Sequence, residues 1–236
     1  MSRLSRSVLP RAFLLGLPLL AGCTYTTSSG SAPAAVQTFT EGAGPLQLRY
    51  QTPSAQRGAA LAVTCAGRHG PGGVSTRAGT PGLAGQVASY SRLQLTAFRA
   101  KLRPSGVMHA VAAPLSDQNI ADLAAHYAAL EPGPAWKVDP EARARGMRLF
   151  TQGDAARNLL ACQVCHGADG RGVDRNGVAS VTHLSPEYGA EILEEFHAAP
   201  SFGGLIWPEA MRIAVQPLSD QEMKDLAAYM ASLGSP

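Results

Sequence analysis

The sequence predicts an all-α protein in which two helical domains lie in tandem and are related by internal duplication. Residues 114–130 match residues 217–233 at a fixed offset of 103, and 11 of the 17 positions are identical. In each copy a serine, Ser116 or Ser219, precedes acidic or amide residues and then apolar residues at helical spacing, which is typical of an N-cap and an amphipathic helix. Each half of the chain is therefore expected to end in such a helix.

The upstream parts of the two halves align as well. A tyrosine and a phenylalanine stand eight positions apart in each half, and a Gly-x-x-Leu sequence begins each half on a short helical pattern. These matches extend the duplication beyond the final helix to most of each domain. The matching pairs are Tyr90 and Phe98, Tyr188 and Phe196, Gly58 and Leu61, and Gly146 and Leu149.

Helix-start and turn residues place the boundary between the two domains. Residues 131–134 read Glu-Pro-Gly-Pro, which is typical of a linker, and Asp139-Pro140-Glu141 is typical of a helix N-terminus. We expect an N-terminal domain at residues 47–131, a linker at 132–138 and a C-terminal domain at 139–236. Domains of this size commonly need a cofactor or another staple to complete a core.

The first 22 residues have the features of an export signal. Three arginines precede the apolar run 12–21, which is shorter than the roughly 20 residues that a membrane-spanning helix needs. The run ends in Leu20-Ala21-Gly22-Cys23, which resembles the lipobox of bacterial lipoproteins and implies that Cys23 becomes a lipid-bearing N-terminus. The alternative is an ordinary secretory signal in which Cys23 is incidental.

The segment after the export signal predicts a flexible tether. Residues 23–46 are rich in Ser, Thr, Gly, Ala and Pro, and Glu41 is their one charged residue. Such a tether would hold the folded part close to a membrane in the bacterial periplasm. Thr24 follows Cys23 in place of the aspartate associated with inner-membrane retention in many lipoproteins, which favours the outer membrane.

The net charge excludes one class of partner. The formal charge of +3 comes from Arg3, Arg6 and Arg11 of the export signal, and the rest of the chain balances 17 Lys and Arg against 17 Asp and Glu. Nucleic-acid binders carry clustered Lys and Arg, so no nucleic-acid partner is expected. Four cysteines are also too few for a disulfide scaffold.

The motif Cys162-Gln163-Val164-Cys165-His166 carries the predicted chemistry. This pattern is the c-type haem attachment signature, in which Cys162 and Cys165 form thioethers with the haem vinyl groups and His166 reaches the iron. A bare Cys-x-x-Cys could instead be a thioredoxin-like pair or half of a zinc site. No second cysteine pair is present for zinc, and no βαβ pattern surrounds the motif.

A methionine at one position of each half is the candidate for the second axial ligand. Met108 and Met211 both lie seven residues before a leucine of the repeated segment, Leu115 or Leu218. We expect Met211 to ligate the iron, and the alternative is a core methionine. A His/Met pair fills both axial positions, so O₂ or peroxide finds no open site on the iron. This arrangement favours an electron carrier over an oxygenase.

These residues resemble those of dihaem class I cytochromes c of the cytochrome c4 type, over essentially the whole stretch from Gly58 to Leu233. The resemblance implies two tandem class I cytochrome c domains around a pseudo-twofold axis, which shuttle electrons in the bacterial periplasm, often to a terminal oxidase. In the second domain it rests on Cys162, Cys165, His166 and Met211. In the first it rests on Cys65, His69, Thr80-Pro81, Leu83-Ala84-Gly85-Gln86, Tyr90, Gln94-Leu95, Phe98, Met108 and the segment 115–124.

The first domain departs from the family pattern at one residue. It reads Cys65-Ala66-Gly67-Arg68-His69, with arginine where the second thiol should stand. Arginine cannot form a thioether, so at most one covalent bond to haem is possible there, through Cys65. In one hypothesis Cys65, His69 and Met108 still hold a haem. In the other, the domain has lost haem and persists as a structural partner of the second.

We therefore expect a lipid-anchored periplasmic cytochrome that passes single electrons between a redox protein donor and acceptor, possible partners being a terminal oxidase or a membrane dehydrogenase. No catalytic residue is expected. The alternatives are a dihaem oxidoreductase of the thiosulfate dehydrogenase or peroxidase kind, and a dedicated cytochrome subunit of a membrane dehydrogenase or oxidase. The remaining aromatic and imidazole residues of note are assigned to surface or packing roles: His126, His183, His197 and Trp136.

Overall fold

The computed structural model describes residues 37–198 and 206–234, with the backbone alone for residues 206–208. The export signal, Cys23 and the first part of the predicted tether lie outside the described residues. Within these ranges, no helix combines the length and the apolarity needed to cross a membrane.

Among the described residues, the first half consists of a small hairpin followed by five helices. The hairpin pairs strand β1 with strand β2 in antiparallel register, so that Phe39 lies opposite Tyr50. The helices are joined by loops and short 3₁₀ turns. The bounds are β1 Thr38–Glu41, β2 Leu48–Gln51, α1 Ala55–Ala62, α2 Ala66–His69, α3 Ala88–Arg99, α4 Gly106–Ala112 and α5 Asp117–Ala128.

The second half repeats the helical order of the first. Its bounds are α6 Pro140–Gln152, α7 Gln163–His166, α8 Pro186–Ala198, α9 Ile206–Val215 and α10 Asp220–Ala231. The all-α prediction is confirmed for the described residues, and the β1–β2 hairpin is a minor addition to it.

The last helix of each half begins as the repeated sequence predicts. The hydroxyl of Ser116 accepts a hydrogen bond from the backbone N–H of Asn119, and that of Ser219 accepts one from Glu222. In both, the third helical residue returns a side-chain contact to the serine backbone, which completes a capping box. These caps satisfy backbone donors that would otherwise be orphaned at the start of α5 and α10.

The first and last helices of each half cross at a glycine. A side chain at Gly58 would collide with the carbonyl oxygen of Asp122, and one at Gly146 would collide with that of Asp225. The close approach is reinforced by an arginine next to each glycine, since Arg57 pairs with Asp122 at 2.6 Å. The repeated Gly-x-x-Leu sequence therefore marks a helix crossing in both halves.

The apolar core of the second half is the larger one. It centres on Phe150, Met223 and Leu226, which are all at most 2% exposed. The first half has smaller clusters, one of which joins Leu48 of β2 to Ile120 of α5. The hairpin therefore packs against α5 and completes the core of the first half.

The prediction of a flexible tether over residues 23–46 is wrong at its C-terminal end. Residues Thr38–Glu41 form β1, and the carboxylate of Glu41 accepts hydrogen bonds from the Tyr50 hydroxyl at 2.8 Å and from Arg92 Nε at 2.6 Å. Burial and the Glu41 hydrogen bond raise the pKa of Tyr50 to about 12. The strand is held by long-range contacts that its polar composition does not reveal.

The two halves are joined by hydrogen bonds to backbone groups. The Gln86 amide donates to the carbonyl of Ser180 at 2.9 Å and accepts from its N–H at 2.8 Å. The Ser89 N–H donates to a carboxylate oxygen of Asp174 at 2.8 Å. These contacts cross from the α2–α3 region of the first half to the loop between α7 and α8 of the second.

Arg103 forms a second connection between the halves. Its side chain is only 16% exposed and donates to Gln94 of its own half at 2.6 Å and to the Tyr188 hydroxyl of the other half at 3.3 Å. It also lies 3.7 Å from Glu195 of α8. Burial raises the pKa of the adjacent Tyr90 to about 12, so this phenol stays neutral.

Candidate functional site

The two thiols of the second half lie around one turn of helix. Cys162 is the N-cap of α7 and Cys165 lies inside it, so their side chains stand three residues apart on the same side. Both thiols are free, with Cys162 half-buried and Cys165 exposed. Burial raises the pKa of the Cys162 thiol to about 11. The arrangement can offer two sulfur atoms to one flat ligand.

His166 is held in one orientation by a backbone carbonyl. Its Nδ1 lies 2.9 Å from the carbonyl oxygen of Ala179. Since a carbonyl can only accept, Nδ1 carries the proton and Nε2 keeps a lone pair. Burial lowers the pKa of His166, which favours the neutral imidazole that metals require. The ring is therefore prepared to ligate through Nε2.

His69 has the same arrangement in the first half. Its Nδ1 lies 2.9 Å from the carbonyl oxygen of Pro81, and the residue is 9% exposed. Burial lowers its pKa, and the charge of Arg68 acts in the same direction. The first half thus has the same histidine geometry as the second, although Arg68 stands where the second half has Cys165.

The residue after each histidine is a glycine that the turn requires. Gly70 has a φ of 79° and Gly167 a φ of 81°, values in which L side chains are strained. A side chain at Gly70 would also collide with the carbonyl oxygen of Val74. The chain can therefore fold back towards the loops that supply Pro81 and Ala179.

The two predicted methionine ligands differ in their surroundings. Met211, on α9, packs against the same apolar cluster as Cys162. Met108 is half-buried on α4, and its N–H is capped by the Ser105 hydroxyl at 3.2 Å. The neighbouring His109 places Nε2 2.8 Å from the carbonyl oxygen of Arg103, so this ring has a partner of its own.

Cys65 is half-buried and packs at the end of α5. It contacts the cluster that contains Ala62, Leu123 and Tyr127. Burial raises the pKa of Tyr127, and a side-chain hydrogen bond to Cys65 adds to the shift. The remaining thiol of the first half therefore sits against apolar and aromatic groups.

Arg68 lies at the position that Cys165 holds in the second half. Its side chain is exposed and lines a surface cavity of about 200 Å³ together with Arg77. The substitution therefore places a charge at the surface beside Cys65 and leaves His69 buried.

The donor set fits a covalently held haem. The second half supplies two thiols, an imidazole with Nε2 available and a thioether on the same apolar cluster. The first half supplies one thiol, a matching imidazole and a methionine on the matching helix. These are the residue types that attach and ligate haem c.

His183 has a more specific place than the sequence indicated. It is 4% exposed, and its φ of 55° lies in the left-handed region. It stands four residues after Ala179, whose carbonyl accepts from His166. In the first half, Gly85 holds the corresponding left-handed position, four residues after Pro81. Its Nδ1 lies 2.7 Å from the carbonyl oxygen of Pro134. The ring fills the space between Gly82 of the first half and Gly133 of the linker. The sequence gives no local signal for this role.

Comparison with protein families matches residues 144–234 to the family described as cytochrome c. Cytochrome c4 from Thiocapsa roseopersicina is 34% identical over 171 residues, which cover 72% of this chain and 86% of that protein. A protein named thiosulfate dehydrogenase electron acceptor, from Stutzerimonas stutzeri, is 33% identical over 178 residues, covering 73% and 80% of the two chains.

A solved structure extends this similarity to the fold. The crystal structure of reduced recombinant cytochrome c4 from Pseudomonas stutzeri superposes with a TM-score of 0.70 at 28% identity. The match covers 77% of this chain and 99% of that one. The similarity therefore spans both halves of the chain.

Proposed function

The chain belongs to the cytochrome c4 family, and we propose that it carries single electrons through two His/Met-ligated haems while a lipid on Cys23 holds it at a membrane. As a member of this family it is a periplasmic electron-transfer cytochrome with covalently bound haem c, and its partners are redox proteins. We place the boundary between its two haem domains in the linker 132–138.

In the second domain, Cys162 and Cys165 attach the haem, and His166 and Met211 ligate the iron. The carbonyl of Ala179 supports this assignment most directly, because it fixes the tautomer of His166 and leaves Nε2 for the metal. Bound haem supplies one-electron exchange between Fe(III) and Fe(II). Met211 is partly buried against the apolar cluster that also contacts Cys162, which supports ligation of the same haem.

In the first domain, Cys65 attaches a haem through a single thioether, and His69 and Met108 ligate it. The observation that supports this is the His69–Pro81 contact of 2.9 Å, equal to that of His166 with Ala179. A domain retained only as a structural partner would not need a buried histidine with Nε2 kept available. The Gln86–Ser180 and Ser89–Asp174 contacts hold the two domains together for electron relay.

We propose a dehydrogenase as the electron donor. The relative from Stutzerimonas stutzeri is named as the electron acceptor of thiosulfate dehydrogenase, which supports a donor of that kind for this chain. The acceptor would be another redox protein, such as a terminal oxidase. The role named for that relative favours the carrier over the enzyme alternative, because an acceptor receives electrons and does not itself oxidise thiosulfate.

The membrane anchor is proposed from the lipobox sequence Leu20-Ala21-Gly22-Cys23. Thr24 in the second mature position favours the outer membrane. The test is a Cys23→Ser variant expressed in a Gram-negative host. A lipid anchor predicts that the wild type is recovered with outer-membrane vesicles and the variant is not, whereas identical fractionation of the two would contradict it.

Carbon monoxide tests the carrier function directly. Two closed iron sites predict no spectral change when CO is added to the reduced wild type. A Met211→Ala variant should bind CO, because it opens one axial position, and a Met147→Ala variant should not, because Met147 is 40% exposed on α6. CO binding by the wild type would favour an enzyme with an open iron site.

A further inference from the structure

The two halves of the protein carry opposite charge. Residues 38–131, which include the hairpin and Glu41, contain eight Arg and Lys against four carboxylates, a net charge of +4. Residues 139–236 contain eight Arg and Lys against thirteen carboxylates, a net charge of −5. The stretch 42–116 has no Asp or Glu at all. The overall neutrality of the exported chain therefore conceals a strong polarity between its halves.

Half of the cations in the first domain are neutralised within the protein. Four arginines form ion pairs, which are Arg57 with Asp122, Arg92 with Glu41, Arg99 with Asp117 and Arg103 with Glu195. In the described part of the chain, the other four cations have no ion-pair partner, and their charge faces solvent. These four are Arg49, Arg68, Arg77 and Lys101.

Two of the unpaired cations share one surface. Arg68 and Arg77 line the cavity of about 200 Å³, whose remaining lining residues include no carboxylate. We call this surface the arginine face, and its other members are Ala66, Gly67, Gly70, Pro71 and Thr76. Glu191 of α8 lies beside Gly79 of the neighbouring loop but makes no ion pair with Arg77.

The arginine face lies next to the haem attachment site proposed for the first domain. Arg68 is three residues from Cys65 and directly precedes His69. Val63, two residues before Cys65, is 74% exposed and adds apolar surface nearby. Protein interfaces commonly surround an apolar contact with charged groups that remain partly hydrated.

We propose that the arginine face docks an acidic redox protein and that electrons enter or leave the first domain there. The proposal rests on the first-domain haem of the proposed function. A half-molecule of charge +4 attracts an acidic protein over the Debye length, and the half of charge −5 repels it. The polarity therefore selects the end of the molecule that the partner approaches. In the reaction, the partner's centre loses one electron and the haem iron gains it.

A protein partner fits this surface better than a small anion. Both guanidiniums are exposed, so a free oxyanion held there would remain hydrated and screened by salt. An acidic protein seated on the arginine face instead meets both guanidiniums at short range, and the net positive charge of the half adds a long-range attraction. The long-range field draws the partner to this half, and Arg68 and Arg77 then determine where on it the partner docks.

The test uses reduced plant-type [2Fe–2S] ferredoxin, a small acidic one-electron donor, and the holoprotein in stopped flow. The double variant Arg68→Gln/Arg77→Gln should lower the second-order rate of haem reduction about tenfold at 10 mM ionic strength. The loss should shrink to about twofold at 200 mM, because salt screens the attraction. Reduction by duroquinol, which is uncharged, should be unchanged within about twofold.

The matched control is Arg49→Gln/Lys101→Gln. It removes the same charge from the same half, and neither residue lines the arginine face. We expect it to slow the ferredoxin reaction less than about threefold. Equal losses in the two double variants, or none in either, would overturn the docking face. The haem content distinguishes a failure of the docking face from a failure of the proposed function. One haem per chain overturns the first-domain haem. Two haems per chain with an unchanged ferredoxin rate overturn the docking face alone.

Discussion

The Nδ1 of His69 lies 2.9 Å from the carbonyl oxygen of Pro81, and the domain around it lacks one of the two cysteines that usually attach haem. His166 makes the equivalent contact with Ala179 at the same distance. The histidine is therefore positioned independently of the missing thiol. This relationship underlies our assignment of haem to the first domain.

Restoring the missing thiol should complete the attachment site. The Arg68→Cys variant places a thiol three residues from Cys65, the spacing that α7 shows for Cys162 and Cys165. We expect the second vinyl group of the first haem to become a thioether. The α-band of the pyridine haemochrome should then move to shorter wavelength, towards that of a haem with two thioethers. An unchanged band would indicate that no haem lies beside residue 68.

Removing the remaining thiol should release the first haem. We expect Cys65→Ala to lose one covalently bound haem per chain, measured by mass spectrometry after acid–acetone extraction. The control is Cys165→Ala, which leaves Cys162 as the single attachment point of the second domain. This matches the first domain, where Cys65 is the single attachment point. That variant should keep its haem covalently bound. Equal haem content in Cys65→Ala and the wild type would contradict the assignment.

Acid stability should depend on Asp225. Arg145 hydrogen-bonds to this buried carboxylate at 2.8 Å and holds its pKa below the usual range. Because the folded-state pKa is depressed, the stabilisation is present above the unfolded value of about 4 and is lost as the pH falls below it.

Asp225→Asn should therefore lower the free energy of unfolding by about 1–3 kcal/mol at pH 7. The difference from the wild type should narrow below about pH 4. Glu194→Gln is the control, since Glu194 is exposed on α8 and should change stability by less than about 0.5 kcal/mol. Chemical denaturation at several pH values measures the free energy of unfolding of the wild type and of both variants. A pH-independent difference would show that packing, not charge, dominates.

The contact of His183 with Gly82 should appear in a double-mutant cycle. A Cβ at Gly82 would lie 2.7 Å from Cδ2 of the His183 ring, so Gly82→Ala should destabilise the protein by about 1–3 kcal/mol. The cost should fall in a His183→Ala background. Gly67→Ala is the control, because nothing lies within 4 Å of a Cβ there. Equal costs in the two backgrounds would exclude the His183 contact as the cause.

Local sequence signals were sufficient for the first and last helices of each half and for the haem motif. The repeated Ser-Asp-Gln sequence predicts the caps at Ser116 and Ser219, and both form capping boxes. The spacing from Cys162 to His166 predicts the haem attachment motif without any long-range information. These features depend on neighbours within one or two turns, which a sequence displays directly.

Features made by distant contacts could not be predicted in this way. Strand β1 lies in a segment of low-complexity composition, and it is fixed by Glu41 through Arg92, 51 residues away. His183 holds a position that glycine fills in the first half, and its packing depends on Gly82 and the linker. The identity of the carbonyls that orient His69 and His166 also requires the fold, since each lies more than ten residues further along the chain.

Haem stoichiometry tests the central claim most directly. Protein quantified by amino-acid analysis is converted to its pyridine haemochrome, and the intact denatured chain is weighed by mass spectrometry. Our account predicts two covalently bound haems per chain and an α-band intermediate between those of single- and double-thioether haem. One haem per chain, with a pure double-thioether band, would contradict it.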